Sequence, residues 1–368
     1  MKVLHFFKTY WPDTFGGVER TIHALAKGGR AHGIEADVLS LSRSPIENTR
    51  EFDGHMAYKA KLDLEFASTG FSREAFSRFR ELSTRADVVH YHFPWPFMDV
   101  VHLLSPPGKP TVVTYHSDIV KQKTLLRLYA PLMHRLLSSV DRIVATSPNY
   151  LMTSEVLQRH REKTLVIPIG LDPADYPRAS EEEKAKWRSR FPRPFFLFVG
   201  VLRYYKGLHI LLDAARAVDA DIVIVGDGPT RQELEEKAAS ASLTNVHFLG
   251  ALPDSAKAAL LEICRGFVFP SHLRSEAYGL SLVEAAMFGK PMISCEIGTG
   301  TSFVNQDDET GIVVPPQDPA ALAAAMNRLL LDDVFCRAAG LKASERAQSV
   351  MSAASMTAAY ANLYRQIV

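Results

Sequence analysis

Short apolar runs rich in β-branched and aromatic residues recur along the whole chain, and the intervals between them carry helical spacing. In the first half they fall at residues 3–7, 36–41, 87–92, 111–115, 141–146 and 164–167. Near-continuous apolar strands alternating with helices are the mark of a parallel sheet covered on both faces, because a strand buried on both sides has no polar face to show. A Pro-containing, charge-rich stretch over 169–194 interrupts the pattern and reads as an interdomain linker leading into the next domain. The alternation then restarts at 195–200, 221–226, 245–249, 266–269, 291–295 and 311–314. Two doubly wound α/β domains in tandem are therefore expected, and 368 residues are enough to bury two cores. The tail, 333–368, is Ala-rich with no Pro or Gly after Gly340, which predicts one or two terminal helices.

Composition excludes several classes. Lys and Arg number 42 against 41 Asp and Glu, so net charge gives no reason to expect a nucleic-acid partner. The small positive excess is N-terminal: residues 1–178 hold 23 basic and 19 acidic side chains. Cys264, Cys295 and Cys336 lie far apart, without the spacing of a structural zinc site, and fit a reducing cytoplasm. No run approaches the roughly 18 apolar residues of a membrane span, so any membrane contact is expected to be peripheral.

Six segments could carry chemistry. Phe15-Gly16-Gly17-Val18-Glu19 follows the first strand and opens a helix. Two glycines there let backbone amides approach an anion at a helix N-terminus; the alternative is a plain tight turn. Gly226-Asp-Gly-Pro229 follows a strand, but the third position of a dinucleotide fingerprint is Arg231. A sharp turn beneath a nucleotide pocket is preferred to an NAD site. In Val199-Gly-Val-Leu-Arg203-Tyr-Tyr-Lys206-Gly207, two cations occupy a loop at the C-terminal sheet edge, where ligands of such sheets bind and where cations neutralise a leaving diphosphate. The segment from Ser271 to Gly289 places Glu276 before, and Glu284 within, a helix whose buried face is expected to hold Leu282, Val283, Ala286 and Met287. An ionised carboxylate accepts from two vicinal hydroxyls, as on a sugar or ribose; taken singly, each Glu could equally serve helix electrostatics. His90 and His92 share a strand face without a nearby carboxylate or Cys set to complete a metal site, and His116, ending the next strand, is the better functional candidate. Finally, residues 121–137 hold Lys121, Lys123, Arg127 and Arg135 and no acid. Leu125, Leu128, Leu132 and Leu136 recur at helical spacing, which suits either an interfacial helix beside anionic lipid or an ordinary covering helix.

Taken together, these motifs resemble, over essentially the whole chain, the retaining glycosyltransferases of family 4. The segments 7–20 and 200–207 are similar to those of bacterial mannosyltransferases that build O-antigen and related polysaccharides. The resemblance implies the GT-B fold. Residues 1–177 would form an N-terminal acceptor-binding Rossmann-like domain, 178–350 a nucleotide-sugar-binding one, and 351–368 a helix packing back on the first. It implies that Gly16 and Gly17 face the donor diphosphate and that Lys206 binds it. Glu276, with the backbone at Tyr278, Gly279 and Leu280, would hold the donor sugar and phosphates, Glu284 the ribose, and His116 would lie near the sugar at the cleft. Many members carry Arg directly after the glycine equivalent to Gly200. Val201 stands there instead, and the phosphate role passes to Arg203.

The activity so implied moves a mannosyl unit from GDP-mannose to a glycan or polyprenyl-linked acceptor, with retention and without a metal cofactor, in the cytoplasm at or near the inner membrane surface. The rivals are a UDP-hexose donor, a nucleotide-sugar epimerase and a catalytically silent nucleotide-sugar binder.

Overall fold

Strand order in both halves follows one plan, in which the first strand of each half ends up in the middle of its sheet. The computed structural model describes residues 1–66, 69–119 and 123–368. Its first unit comprises Met1–Gly170 with Ser352–Val368, and its second Leu171–Met351.

In the first unit, β1 (Lys2–Phe6), β2 (Glu35–Ser42), β3 (Arg50–Phe52), β4 (His55–Lys61), β7 (Val88–Phe93), β8 (Thr111–Tyr115), β9 (Arg142–Ala145) and β10 (Thr164–Val166) form one sheet; β5 (Leu64–Phe66) and β6 (Thr69–Phe71) pair separately. The sheet order is β10-β9-β8-β7-β1-β2-β4-β3, and only β3 runs antiparallel to its neighbour. The order reverses between β1 and β7, so the loops leaving those two strands diverge and leave a crevice at their carboxyl ends.

The second unit holds β11 (Phe195–Val199), β12 (Asp221–Val225), β13 (Val246–Gly250), β14 (Gly266–Phe269), β15 (Met292–Cys295) and β16 (Gly311–Val314) in the order β13-β12-β11-β14-β15-β16, all parallel. Here the reversal lies between β11 and β14, the strands that precede the Lys206 and Glu276 loops.

All twelve expected strands are present within a residue or two at each end. Strands β3 to β6 lie outside the expected twelve. In His55–Lys61 the alternating buried positions are His55, Ala57 and Lys59, two of the three polar, so hydropathy alone conceals it.

The stretch expected to be a linker contains the helix Glu181–Arg190. Ser180 Oγ caps it by accepting from Glu183 N at 3.1 Å, three glutamates occupy its first turn, and Trp187 is buried. The unit boundary falls at Gly170/Leu171, before the expected 177. Leu171 N donates to Met351 O at 3.0 Å, and Tyr176 reaches Glu284, which tie residues 171–177 to the second unit.

The tail forms the helices Asp333–Val350 and Ala353–Ile367. The second belongs to the first unit, where Tyr360 and Tyr364 are buried and hydrogen-bond Thr114 Oγ1 and His90 Nδ1, each at 2.6 Å. Gly28 allows the close approach of that helix: a Cβ there would stand 2.7 Å from Thr357 Cγ2.

Candidate active site

In the second unit three loops are knitted by backbone. Gly226, with φ +135°, turns the chain under β11 so closely that a Cβ would lie 1.9 Å from Gly200 O, and one on Gly228 would lie 2.4 Å from Leu202 O. These glycines serve the close crossing of the β11 and β12 loops, and Arg231, in place of a third glycine, forms ion pairs with Asp227 at 3.1 Å and Glu235 at 2.8 Å. Gly207 (φ +71°) makes the same kind of approach to the β14 loop: its Cβ would stand 2.0 Å from Pro270 O. His272 N donates to Tyr205 O at 3.0 Å and joins those loops further.

That contact delivers Lys206 to Glu276. Both side chains are about nine-tenths buried, and the ammonium is ion-paired to Glu276 Oε2. The Lys206 Nζ also lies 4.5 Å from the centroid of the Phe269 ring and 5.4 Å from that of Tyr205, a low-dielectric setting in which the pair is held firmly. Lys206, expected to bind the donor diphosphate, is thus ion-paired to Glu276, and an ammonium has three N–H donors of which one carboxylate oxygen uses only one. Thr299 Oγ1 anchors Glu276 O at 2.8 Å, and Gly300 N donates to Ala277 O at 2.8 Å.

Buried Tyr278 then leads to Gly279, whose φ of +88° starts the helix Leu280–Met287 with no side-chain cap, so its first turn presents the positive end of the helix, with Leu282 N donating to Gly279 O at 2.8 Å. The buried face of that helix is Leu282, Val283, Ala285 and Ala286. Ala285 takes the place expected for Met287, which is half-buried because the short helix turns at Phe288. Glu284, one turn in, accepts from Tyr176 OH at 2.8 Å. Arg203 is exposed.

Sequence reasoning passed over His272. Both of its ring nitrogens are buried without a hydrogen-bond partner among the described residues, its ring meets Tyr204 and His209 edge-on at 5.1 Å, and burial lowers its pKa. Its position between Ser271 and Glu276 in the most informative loop was the available signal.

In the first unit, Gly16 is the extended N-cap of the helix Gly17–Gly29, again without a side-chain cap. Buried Glu19 organises the loop before it: Oε1 accepts from Thr9 Oγ1 and Thr14 Oγ1, both at 2.7 Å, and Oε2 lies so near Gly16 that a Cβ would approach it to 3.0 Å. Lys59, fully buried, holds the same loop through Asp13 at 3.0 Å and Tyr10 O at 2.8 Å. A carboxylate already meets this helix dipole, so what the turn offers an anion is amides and not net positive charge.

His116 is buried at the end of β8, with a pKa pushed down to about 3 by desolvation. The sequence missed His5, whose nitrogens lie within 4.8 Å of those of His90 and His92 because β1 and β7 are in register at His5 and His90. These imidazoles are engaged with one another and with hydroxyls: His5 with His92 at 3.0 Å, and His90 with Thr114 at 2.7 Å and Tyr364 at 2.6 Å.

The helix Lys123–Ser139 packs beside the helix Pro96–Leu104, while Lys121 and the side chains of Lys123 and Leu125 lie outside the described residues. Its leucines do not form one exposed stripe: Leu128 is exposed, Leu132 half-buried, and Leu136 fully buried in the core. Tyr129 OH donates to the buried carboxyl of Asp99 and holds the helix down. No helix among the described residues is long and apolar enough to cross a membrane.

Comparison with known proteins adds an independent line. Residues 15–175 match the model of "Glycosyltransferase Family 4" and residues 179–347 that of "Glycosyl transferases group 1". The chain is 57% identical to the D-rhamnosyltransferase WbpZ of Pseudomonas aeruginosa, over 89% of this chain and 86% of that protein. It is 48% identical to the O-antigen chain mannosyltransferase C of Escherichia coli, over 100% and 99%. Among solved structures, a sucrose-phosphate synthase from Thermosynechococcus elongatus superposes with a TM-score of 0.82 at 22% identity, covering 99% of this chain and 98% of that one, a likeness of fold. Two parallel sheets of matching topology are what the GT-B architecture requires, and both family models fall on them. The chain belongs to the family 4 glycosyltransferases, enzymes that transfer a sugar from an activated donor to an acceptor.

Proposed function

We propose that this enzyme transfers a mannosyl unit from GDP-mannose to a hydroxyl of a glycan or polyprenyl-linked acceptor in the synthesis of an O-antigen-type polysaccharide, with retention at the anomeric carbon. The observation that carries the reading is the full-length, 48% identical O-antigen chain mannosyltransferase. In it, Lys206 and Arg203 stabilise the leaving diphosphate, Glu276 and the amides at Tyr278, Gly279 and Leu280 hold the sugar and phosphates, and Glu284 takes the ribose hydroxyls. Gly16, Gly17 and His116 are assigned to the diphosphate and the sugar. Catalysis then rests on positioning and charge stabilisation, with the leaving phosphate accepting the proton of the incoming hydroxyl.

Calorimetry across nucleotides tests the donor. GDP should bind at least about tenfold more tightly than UDP, since a site that hydrogen-bonds one base leaves groups unpaired with another. Glu284→Ala should weaken GDP binding, and GDP-mannose should give an α-linked product by NMR. Tighter UDP binding would move the donor to a UDP-hexose, and a β-linked product would refute retention. A second reading, D-rhamnosyl transfer, is favoured by the 57% identical D-rhamnosyltransferase. D-Rhamnose is 6-deoxy-D-mannose, so turnover of GDP-mannose against its 6-deoxy counterpart separates the two.

The reaction needs no metal in this proposal, because Lys206, Arg203 and the helix amides supply the positive potential. Activity should survive EDTA, and a complete loss restored by Mg²⁺ or Mn²⁺ would overturn the assignment.

The proposal places the enzyme in the cytoplasm, at the inner membrane face. Exposed Arg127, Leu128 and Arg135, with Lys121 and Lys123, would meet anionic lipid, each cation adding about 1 kcal/mol near such a surface. Reversing Lys121, Lys123 and Arg127 to Glu should abolish sedimentation with anionic liposomes; unchanged sedimentation would count against it.

A further inference from the structure

Three adjacent strands of the first unit deliver imidazoles to one face. His5 pairs in register with His90, the two-residue strand period puts His92 on the same side, and His116 follows the last residue of β8. The result is a chain. His5 Nδ1 and His92 Nε2 are 3.0 Å apart, and His92 Nδ1 and His116 Nε2 are 3.0 Å apart, with both ring pairs stacked at 5.3 Å. Exposure rises only at its end: His5 is 2%, His92 0% and His116 7% exposed.

We propose that His5 and His92 are positioning residues that fix the tautomer of His116, so that its Nδ1–H is presented as a hydrogen-bond donor to the nucleotide sugar. This rests on the assignment of His116 to the sugar-diphosphate site made above.

The argument is a proton count. A neutral imidazole carries a single N–H, and each 3.0 Å contact needs one. Burial disfavours an imidazolium here: desolvation lowers the pKa of all three rings, that of His5 to about 3. His92 therefore cannot donate to both neighbours, and as a neutral ring it cannot accept from both. Only two head-to-tail arrangements remain. In one, His5 Nδ1–H donates to His92 Nε2, His92 Nδ1–H donates to His116 Nε2, and His116 keeps its proton on Nδ1. In the other every donor is reversed and His116 Nδ1 is a lone pair. Every oxygen of a nucleotide sugar, whether hydroxyl, ring or phosphate, can accept a hydrogen bond while only its hydroxyls can donate one, so the first arrangement is the one that fits the ligand throughout. His90 stands beside the chain and not in it, with both nitrogens engaged by Tyr364 OH and Thr114 Oγ1. No bond is made or broken; the chain selects one of two hydrogen-bond polarities.

The test uses the full chain labelled with ¹⁵N-histidine, with GDP as the probe and the His116 resonances identified by their loss in His116→Gln. The parent should show His116 protonated on Nδ1. In His92→Phe, and in His5→Phe, whose site is one imidazole removed from His116, the pattern should move toward the Nε2–H form that isolated imidazoles favour. Turnover in His92→Phe should fall at least about tenfold, with a smaller change in KM. His92→Gln, whose amide can both donate and accept, should recover part of that loss. Should His92→Phe not fold, His5→Gln carries the same spectroscopic readout. A His116 protonated on Nε2 in the parent, or one unmoved by both Phe substitutions, overturns the proposal. Parental turnover in His116→Gln with the tautomer coupling intact overturns instead the assignment of His116 on which the proposal rests.

Discussion

Lys206→Ala should lower kcat by about 10²–10³-fold, the range seen when one preorganised charge-stabilising donor is removed from a transition state. The same change should also destabilise the second unit, because Glu276 would remain as a buried carboxylate without its cation, at a cost of roughly 3–5 kcal/mol. The two effects separate in the double variant Lys206→Met/Glu276→Gln, in which no charge is left uncompensated. Its thermal midpoint should return toward that of the parent while its turnover stays low. Recovery of turnover together with stability would show that the pair serves the fold alone. Glu276→Gln alone should reduce turnover more than affinity for GDP, since its assigned contact is to the sugar.

The legible parts of this molecule are those in which local pattern and tertiary role agree. Strands such as Phe195–Val199 and Gly266–Phe269 are continuous apolar runs because both faces are covered, and no other environment suits them. Glycines at 226 and 207 mark turns because the chain passes within contact of another backbone there. The loop chemistry at Lys206, Glu276 and Glu284 could be placed at the sheet edge from sequence, since loops at a topological reversal are where such sheets bind ligands.

Pairing could not be read. That Lys206 meets Glu276, that Tyr176 meets Glu284, and that His5 joins His92 depend on strand order and register, which place residues 70, 108 and 87 positions apart in contact. The strand His55–Lys61 escaped for a related reason. Its buried Lys59 is stabilised by Asp13, Tyr10 O and Ser40, partners from a distant loop and a neighbouring strand, so a cation sits where the hydropathy pattern calls for an apolar residue. The helix Lys123–Ser139 shows the converse limit: its leucine spacing is real, yet Leu136 is buried in the core and Leu128 is exposed, so the spacing alone does not tell which face is covered.

Gly226→Ala is the substitution expected to damage the second unit most without touching a side chain. Two independent costs coincide there. The backbone is at φ +135°, which an L side chain rarely adopts, and holding a non-glycine residue in such a region costs about 1–3 kcal/mol. The new Cβ would also sit 1.9 Å from Gly200 O, a backbone atom, so relief requires the β11 loop to move. That loop is not free to move cheaply: Gly200 N donates to Val225 O at 3.0 Å, Leu202 N to Asp227 O at 2.9 Å, and Gly226 N to Gly250 O at 2.8 Å. Displacement strains bonds that hold three consecutive strand ends together and carries Lys206 with it. A total loss above about 3 kcal/mol is expected, large against the stability of an ordinary domain. At roughly 2–4 °C per kcal/mol for a unit of this size, the thermal midpoint should fall by about 6–12 °C. Gly33→Ala gives the control, because it too has a positive φ, +72°, but its Cβ would meet nothing within 4 Å. That variant should lose only the conformational part, about 1 kcal/mol. Equal losses at the two positions would mean that the β11 loop yields freely, and the rigid crossing beneath the candidate site would have to be abandoned.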